Sequence, residues 1–381
     1  MRTSDSAVLQ EIVQLASSLI RIPSFNPPGN ENAIMTFAAT WLEHAGISSE
    51  PVFLEPGRSS LVARIVGTQS GSIVLCGHLD TVTADKDVWQ NDPFNPVVER
   101  GRLWGLGAAD MKSAVAVLMQ AMALRIVRAS SPEKSLVLVL TADEEWGYRG
   151  AATVAQSGLI DDAELILIAE PTSNVVCNGQ KGELWIEATF TGREAHGSMP
   201  QSGANAILPA ARFCTRLKDA LDQWPEDPVA GRTTLNVGRF AGGRQVNIVP
   251  GHAHVQLDVR VVSEAHHESV IDLISTIGEE QAAASGTQFS CQIMSYHPPI
   301  RFQTEHAFAR KLLALSQAAT GNRQRPLLSP YSTDGVSFAP KFDVPILICG
   351  PGSIEQAHQP DEWIDIRQIE QALEIVTSFI A

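Results

Sequence analysis

Residues 136–145 read Leu-Val-Leu-Val-Leu-Thr-Ala-Asp-Glu-Glu: five apolar residues without a break, then three consecutive acids. A strand with one solvated face alternates apolar and polar residues. An unbroken run instead suits a strand buried on both faces of a sheet covered by helices. Residues 165–169 (LILIA) repeat that texture and lead into Glu170. Residues 60–66 and 72–77 are further strand candidates, and the second leads into His78 and Asp80. Helix-period segments lie between them. Residues 6–20 place Val8, Ile12, Leu15 and Leu19 on one face; a second segment follows Asn30 and stops near Gly46; residues 110–127 are rich in Ala, Met and Val. Strands alternating with helices predict an α/β class.

The texture changes near Gly179. Residues 184–190 alternate with the period of a half-buried strand, and helix-like segments at 204–221 and 268–284 bracket strand candidates at 233–238 and 253–262. This β-α-β-β-α-β rhythm is ferredoxin-like. After Pro298-Pro299 the α/β texture returns, with a helix at 307–319 and a strand at 344–349. The expected architecture is a mixed, mostly parallel central sheet flanked by helices, built from 1–178 and 297–381. A ferredoxin-like α+β domain, 179–296, is inserted in it as a lid and dimerisation domain.

Composition narrows the function. Apolar residues are 44% and charged residues 18%, which suits a globular chain rather than a disordered one. The net charge of −14 disfavours nucleic acid, whose phosphates need clustered Lys and Arg. No apolar run is long enough to span a membrane, and residues 1–10 carry no signal-peptide pattern. These features predict a cytoplasmic protein with no membrane or nucleic-acid partner. The five cysteines are scattered and form no CxxC pair, so they read as buried free thiols.

The chemistry lies at the strand ends. His78 and Asp80 follow one candidate strand, Asp143, Glu144 and Glu145 a second, Glu170 a third, and His358 with Asp361-Glu362 a fourth. Asp110 follows the turn Gly105-Leu106-Gly107 at the expected start of a helix. In open α/β sheets the ligand crevice lies beyond the carboxyl ends of the strands. Acids gathered there repel unless cations neutralise them. Mixed imidazole and carboxylate ligation suits zinc, with cobalt or manganese as substitutes.

Segments spread over nearly the whole chain resemble the zinc aminoacylase and carboxypeptidase family that includes acetylornithine deacetylase and succinyl-diaminopimelate desuccinylase. They are GHLDTV (77–82), GLGAADMKS (105–113), TADEEWG (141–147), AEPT (169–172), GREAHGSMP (192–200), NIVP (247–250), DVR (258–260) and GPGSIEQAHQPDEW (350–363). The resemblance implies two Zn2+ ions: His78 and Glu170 on one, Glu145 and His358 on the other, Asp110 bridging. It implies that Asp80 orients the His78 imidazole and that Glu144 is the general base. His196 would stabilise the oxyanion from the partner subunit of a homodimer. Asn247 and Arg260 would contact the substrate carboxylate or the oxyanion. Ser332 and Thr333 match a substrate loop of the desuccinylase branch. Leu106 and Ser113 depart from the family's usual Arg and Gly.

Each residue also has a plainer reading. His78 alone reads as a structural histidine, and Asp110 as a helix N-cap. His358 reads as a surface-loop residue and His196 as a solvated turn residue. Arg260 reads as the ion-pair partner of Asp258. The function expected is hydrolysis of the amide of an N-acyl amino acid, acetyl or succinyl in type. The alternatives are a dipeptidase or carboxypeptidase with the same metals, acting on short peptides, and a metal-binding protein without catalysis.

Overall fold

The computed structural model describes residues 3–85, 87–127, 131–301, 306–325 and 327–381. The chain divides into two compact units. The first comprises Met1–Gly179, Arg301–Leu327 and Thr333–Ala381; the second comprises Gln180–Ile300 and Leu328–Ser332.

In the first unit, six strands of the large sheet run in the order Ser49–Glu55, Arg58–Ile65, Ser135–Thr141, Ser72–His78, Ala163–Pro171, Ile346–Gly350. The outer pairings are antiparallel and the four central strands pair in parallel. The sheet is therefore mixed with a parallel centre. The unbroken apolar runs follow from this position. Leu136, Leu138 and Leu140 pack into one core with the helices Thr3–Ile20, Asn32–His44, Ser113–Val127 and Ile366–Phe379. Val137 and Val139 point to the opposite face and are equally buried. Each such side chain contributes about 1.5–3 kcal/mol of burial. The edge strand Ser49–Glu55 escapes prediction because only Val52 among its residues is buried.

The helix expected from residue 110 starts at Ser113 instead. Residues Ala108–Lys112 form an irregular turn in which Asp110 is extended, at φ −126° and ψ 96°. A small antiparallel sheet joins Val97–Glu99, Arg102–Trp104 and Trp363–Asp365. Its register sets Trp363 opposite Trp104, which carries Glu362 to Gly105.

In the second unit, an antiparallel sheet runs in the order Thr234–Gly242, His252–Val261, Gly182–Thr191, Gln288–His297. The helices Ile207–Asp222 and Glu264–Ser285 complete the β-α-β-β-α-β order. Their apolar faces bury Leu184, Ile186, Phe190, Val255 and Val259 against Phe213 and Ile274. The longer helix is closed at both ends: Ser263 accepts a hydrogen bond from the His266 amide, and Gly286 takes the left-handed conformation.

All five cysteines are free, and Cys76, Cys177 and Cys349 are buried as expected, but Cys214 is only half-buried and Cys291 is exposed, because the strand Gln288–His297 turns that side chain to solvent. No described helix is long and apolar enough to cross a membrane.

Candidate active site

His78 closes the strand Ser72–His78 and is almost fully buried. Its Nε2 lies 3.0 Å from Asp110 Oδ1 and 4.0 Å from Glu170 Oε1. On the other side of Asp110, His358 Nε2 lies 3.6 Å from Asp110 Oδ2 and 3.0 Å from Glu145 Oε2. Asp110 thus offers one oxygen to each imidazole. Two triads result, His78 with Asp110 and Glu170, and Asp110 with Glu145 and His358; within each, the ligand atoms lie within 4.8 Å of one another. The first triad is buried. The second opens to solvent through His358, whose side chain is 51% exposed.

Burial and crowding make the site proton-hungry. Burial pushes Glu170 and Glu144 well above the ordinary carboxylate value, and the charges of Asp110 and of Glu170 respectively push them further. Burial lifts Asp80 to about 7 and Asp334 to about 6. Burial opposes charge on His78, yet the hydrogen bond to Asp110 and the nearby carboxylates raise it well above its usual value. The hydrogen bond to Glu145 raises His358 to about 9. Glu145 Oε1 and Glu170 Oε1 are buried with no hydrogen-bond partner. Orphaned carboxylate oxygens facing imidazole nitrogens fit divalent cations, which would neutralise the charge and fill the vacant coordination.

Asp80 touches both His78 and the turn that carries the two glutamates. The closest acceptor to His78 Nδ1 is the main-chain carbonyl of Asp80, at 2.9 Å; the carboxylate Oδ1 is 3.7 Å away. That carboxylate accepts from the amides of Glu144 and Glu145, both at 3.1 Å, and from Asn26 Nδ2 at 3.0 Å. Asp80 therefore holds the turn that carries the two glutamates. Asn26 also donates to Asp143 Oδ1 at 2.9 Å. Asp143 sits at φ 67°, in the left-handed region that Asp tolerates better than most residues. Arg58 and Arg149 pair with its carboxylate. These contacts redirect the chain at the end of the strand Ser135–Thr141, so that Glu144 and Glu145 leave it on a sharp turn.

Glycine is required where the strand before Glu170 meets the strand Ile346–Gly350. A Cβ on Gly350 would lie 2.1 Å from the Ala169 carbonyl oxygen, a main-chain atom that cannot swing away. Gly350→Ala is expected to destabilise the protein by about 1–3 kcal/mol through overpacking. It is also expected to weaken metal binding by displacing Glu170. Urea unfolding and metal titration check this; unchanged values in both would contradict it.

The other expected residues lie in the second unit, apart from Thr333. His196 and Asn247 are brought together: His196 bridges Ile248, and the Gly197 amide donates to the Asn247 carbonyl at 2.7 Å. Both side chains are exposed. His196 Nδ1 lies 2.8 Å from Ser198 Oγ and 3.2 Å from the Ser198 amide nitrogen. Arg260 is held by Glu183 at 2.6 Å and Asp258 at 2.8 Å, and its Nη1 is 3.5 Å from Ser332 Oγ. Arg260 and Ser332 thus meet, and the plainer ion-pair reading of Arg260 describes its contacts. Thr333 is buried in the first unit, where its Oγ1 accepts from the Gly335 amide.

Several residues of the site were not singled out from sequence. Asn26 gives no periodic signal. Asp334, next to Thr333, is buried with Oδ2 on Thr141 Oγ1 at 2.5 Å. Lys112 is fully buried; burial lowers it to about 7, and its Nζ donates to the Ile22 carbonyl at 2.8 Å. Glu362, already named among the strand-end acids, is buried as well, and burial pushes it up to about 8.

Residues 74–381 match peptidase family M20/M25/M40. Acetylornithine deacetylase of Proteus mirabilis (strain HI4320) is 32% identical over 390 residues, covering 98% of this chain and 96% of that protein. The enzyme of the same name from Photorhabdus laumondii subsp. laumondii is 30% identical over 385 residues, covering 98% and 97%. A tripeptidase from Staphylococcus aureus subsp. aureus Mu50 superposes with a TM-score of 0.82 at 22% identity, covering 98% of this chain and 97% of its own. The Bacillus subtilis YXEP protein, a dinuclear metal binding peptidase from the M20 family, gives 0.74 at 16% identity, covering 98% of both chains. At such identities the structural likeness speaks to the fold. The family match and the full-length relatives speak to the chemistry: this chain belongs to peptidase family M20/M25/M40 and is a hydrolase acting on amides.

Proposed function

We propose that this chain is a di-zinc amidohydrolase that removes the acyl group, acetyl or succinyl in type, from an N-acyl amino acid. The observation that carries the reading is the pair of triads sharing Asp110. The full-length similarity to acetylornithine deacetylases supports it. His78 and Glu170 would hold one ion, Glu145 and His358 the other, and Asp110 both. Imidazole and carboxylate ligands suit zinc, with cobalt or manganese as substitutes. When bound, such ions polarise a carbonyl and acidify water.

The chain's own residues do the rest. Glu144 takes a proton from the attacking water and gives it to the leaving amine. Asp80 fixes the main chain of Glu144 and Glu145 and so the direction of the base. His196 donates from its ring to the tetrahedral oxyanion. It does so from the partner subunit of a homodimer. Asn247 assists it. Arg260, oriented by Glu183 and Asp258 and 3.5 Å from Ser332 Oγ, presents the guanidinium fork to the substrate carboxylate, and Ser332 and Thr333 are further substrate contacts. The cytoplasm is the proposed compartment.

A substrate panel tests the reading. Zinc-loaded protein is expected to hydrolyse N-acetyl or N-succinyl amino acids faster than dipeptides at equal concentration. Faster hydrolysis of dipeptides would replace the deacylase with a dipeptidase or carboxypeptidase. No turnover of either class would overturn the proposal.

A further inference from the structure

The turn 105–110 has to account for its main-chain amides, because it is buried and largely non-helical. The Leu106 amide donates to the Pro93 carbonyl at 2.9 Å, and the Ala108 amide to the Gly105 carbonyl at 3.0 Å. The Gly107, Ala109 and Asp110 amides all go to one side chain. Glu362 Oε2 accepts from Gly107 at 2.9 Å, and Oε1 accepts from Ala109 at 2.6 Å and Asp110 at 2.9 Å. The Glu362 carbonyl accepts the Gly105 amide as well, at 2.9 Å. One residue therefore receives four of the six amides from 105 to 110.

Glu362 is almost fully buried and sits four residues after His358, at the start of the strand Trp363–Asp365. That strand pairs with Arg102–Trp104, immediately before the turn. The segment bearing His358 and the segment bearing Asp110 are thus clasped through a single carboxylate. The clasp holds Asp110 extended, with Oδ1 on His78 and Oδ2 toward His358.

We propose that Glu362 is a positioning residue for the two-ion centre: by collecting the Gly107, Ala109 and Asp110 amides it aims the Asp110 carboxylate and ties it to the His358 segment. The proposal rests on the di-metal reading above. Carboxylates and carbonyls that orient metal ligands from behind typically change metal affinity by ten- to a hundredfold when removed. Here the residue acts on the main chain of the shared ligand, so both ions feel its loss.

The test uses the full chain freed of metal and titrated with Zn2+ alone by calorimetry and with Co2+ alone by visible absorption. Wild type is expected to bind two ions. Glu362→Gln keeps the volume but turns an N–H2 group toward the Gly107 amide; it is expected to bind both ions about ten- to a hundredfold more weakly and to change the Co2+ band. Glu362→Asp keeps the charge but is one methylene short, and it is expected not to restore affinity. Restoration by Asp would assign the effect to charge alone and overturn positioning. A lower thermal midpoint in Glu362→Gln with unchanged Zn2+ affinity and Co2+ spectrum would also overturn it. Wild type that binds no metal would overturn the di-metal reading, and the proposal with it. If Glu362→Gln does not fold, hydrogen exchange in metal-free wild type decides. The Gly107, Ala109 and Asp110 amides are expected to be protected, and exchange at the rate of a free amide would contradict the clasp.

Discussion

Glu144→Gln is expected to lower kcat by about 10²–10⁴-fold while the protein still binds two ions. The substitution keeps size and shape but removes the group that accepts the proton. Glu144 belongs to neither triad, and its main chain is held by Asp80 whichever side chain it carries. The loss should therefore fall on kcat and leave metal content and KM nearly unchanged. Steady-state kinetics beside metal analysis of the same sample checks this. Unchanged kcat would remove Glu144 from the mechanism. Loss of one ion would make it a ligand instead of a base.

Removing metal is expected to have the largest effect on stability, and that effect should depend on pH. Zinc at about 1,000 times its dissociation constant stabilises the folded chain by about 4 kcal/mol. For a cooperative unit of this size that corresponds to roughly 8–16 °C in thermal midpoint. The sign of the pH dependence follows from the shifted groups. Asp80, Asp334 and Glu362 have ordinary values of 3.8, 3.8 and 4.5 and are raised to about 7, 6 and 8. Glu144, Glu170 and His78 are raised as well, and His358 goes from 6.5 to about 9. Between pH 5 and 7 the folded, metal-free chain thus binds more protons than the unfolded one, so its stability falls as pH rises. Lys112, lowered from 10.5 to about 7, and His297, lowered from 6.5, work the other way, but the raised groups outnumber them across this range. Zinc displaces these protons, so its affinity rises with pH. The gap in thermal midpoint between zinc-loaded and metal-free protein should widen from pH 5 to pH 7. A gap that stays constant or narrows would contradict the coupling.

The parallel centre of the large sheet was legible because burial on both faces leaves a direct trace: no position in LVLVL or LILIA tolerates a polar residue. The order of elements in the second unit was legible from alternation in residues 184–190 and helix periods after them. The edge strand Ser49–Glu55 left no such trace, with one buried residue in seven. Imidazoles and acids at the strand ends were legible as a group, but the choice of five among them as metal ligands came from the family resemblance; the structure brings these five together. What surrounds them was not. Asp80 acts through its carboxylate on the amides of Glu144 and Glu145, a contact across more than sixty positions that no local pattern reports. Glu362 depends on the pairing of Trp363–Asp365 with Arg102–Trp104, and Asn26 on two acids from separate strand ends. The Ala-, Met- and Val-rich segment 110–127 predicts a helix that starts at Asp110. Its amide and that of Ala109 instead turn to Glu362, and the helix begins at Ser113.

The most direct test of the two-ion centre is a crystal structure of the zinc-loaded protein with anomalous diffraction recorded across the zinc edge. Two peaks per chain are predicted, one among His78, Asp110 and Glu170 and one among Asp110, Glu145 and His358, about 3.5–4 Å apart. A single peak, or peaks bound by other residues, would contradict it.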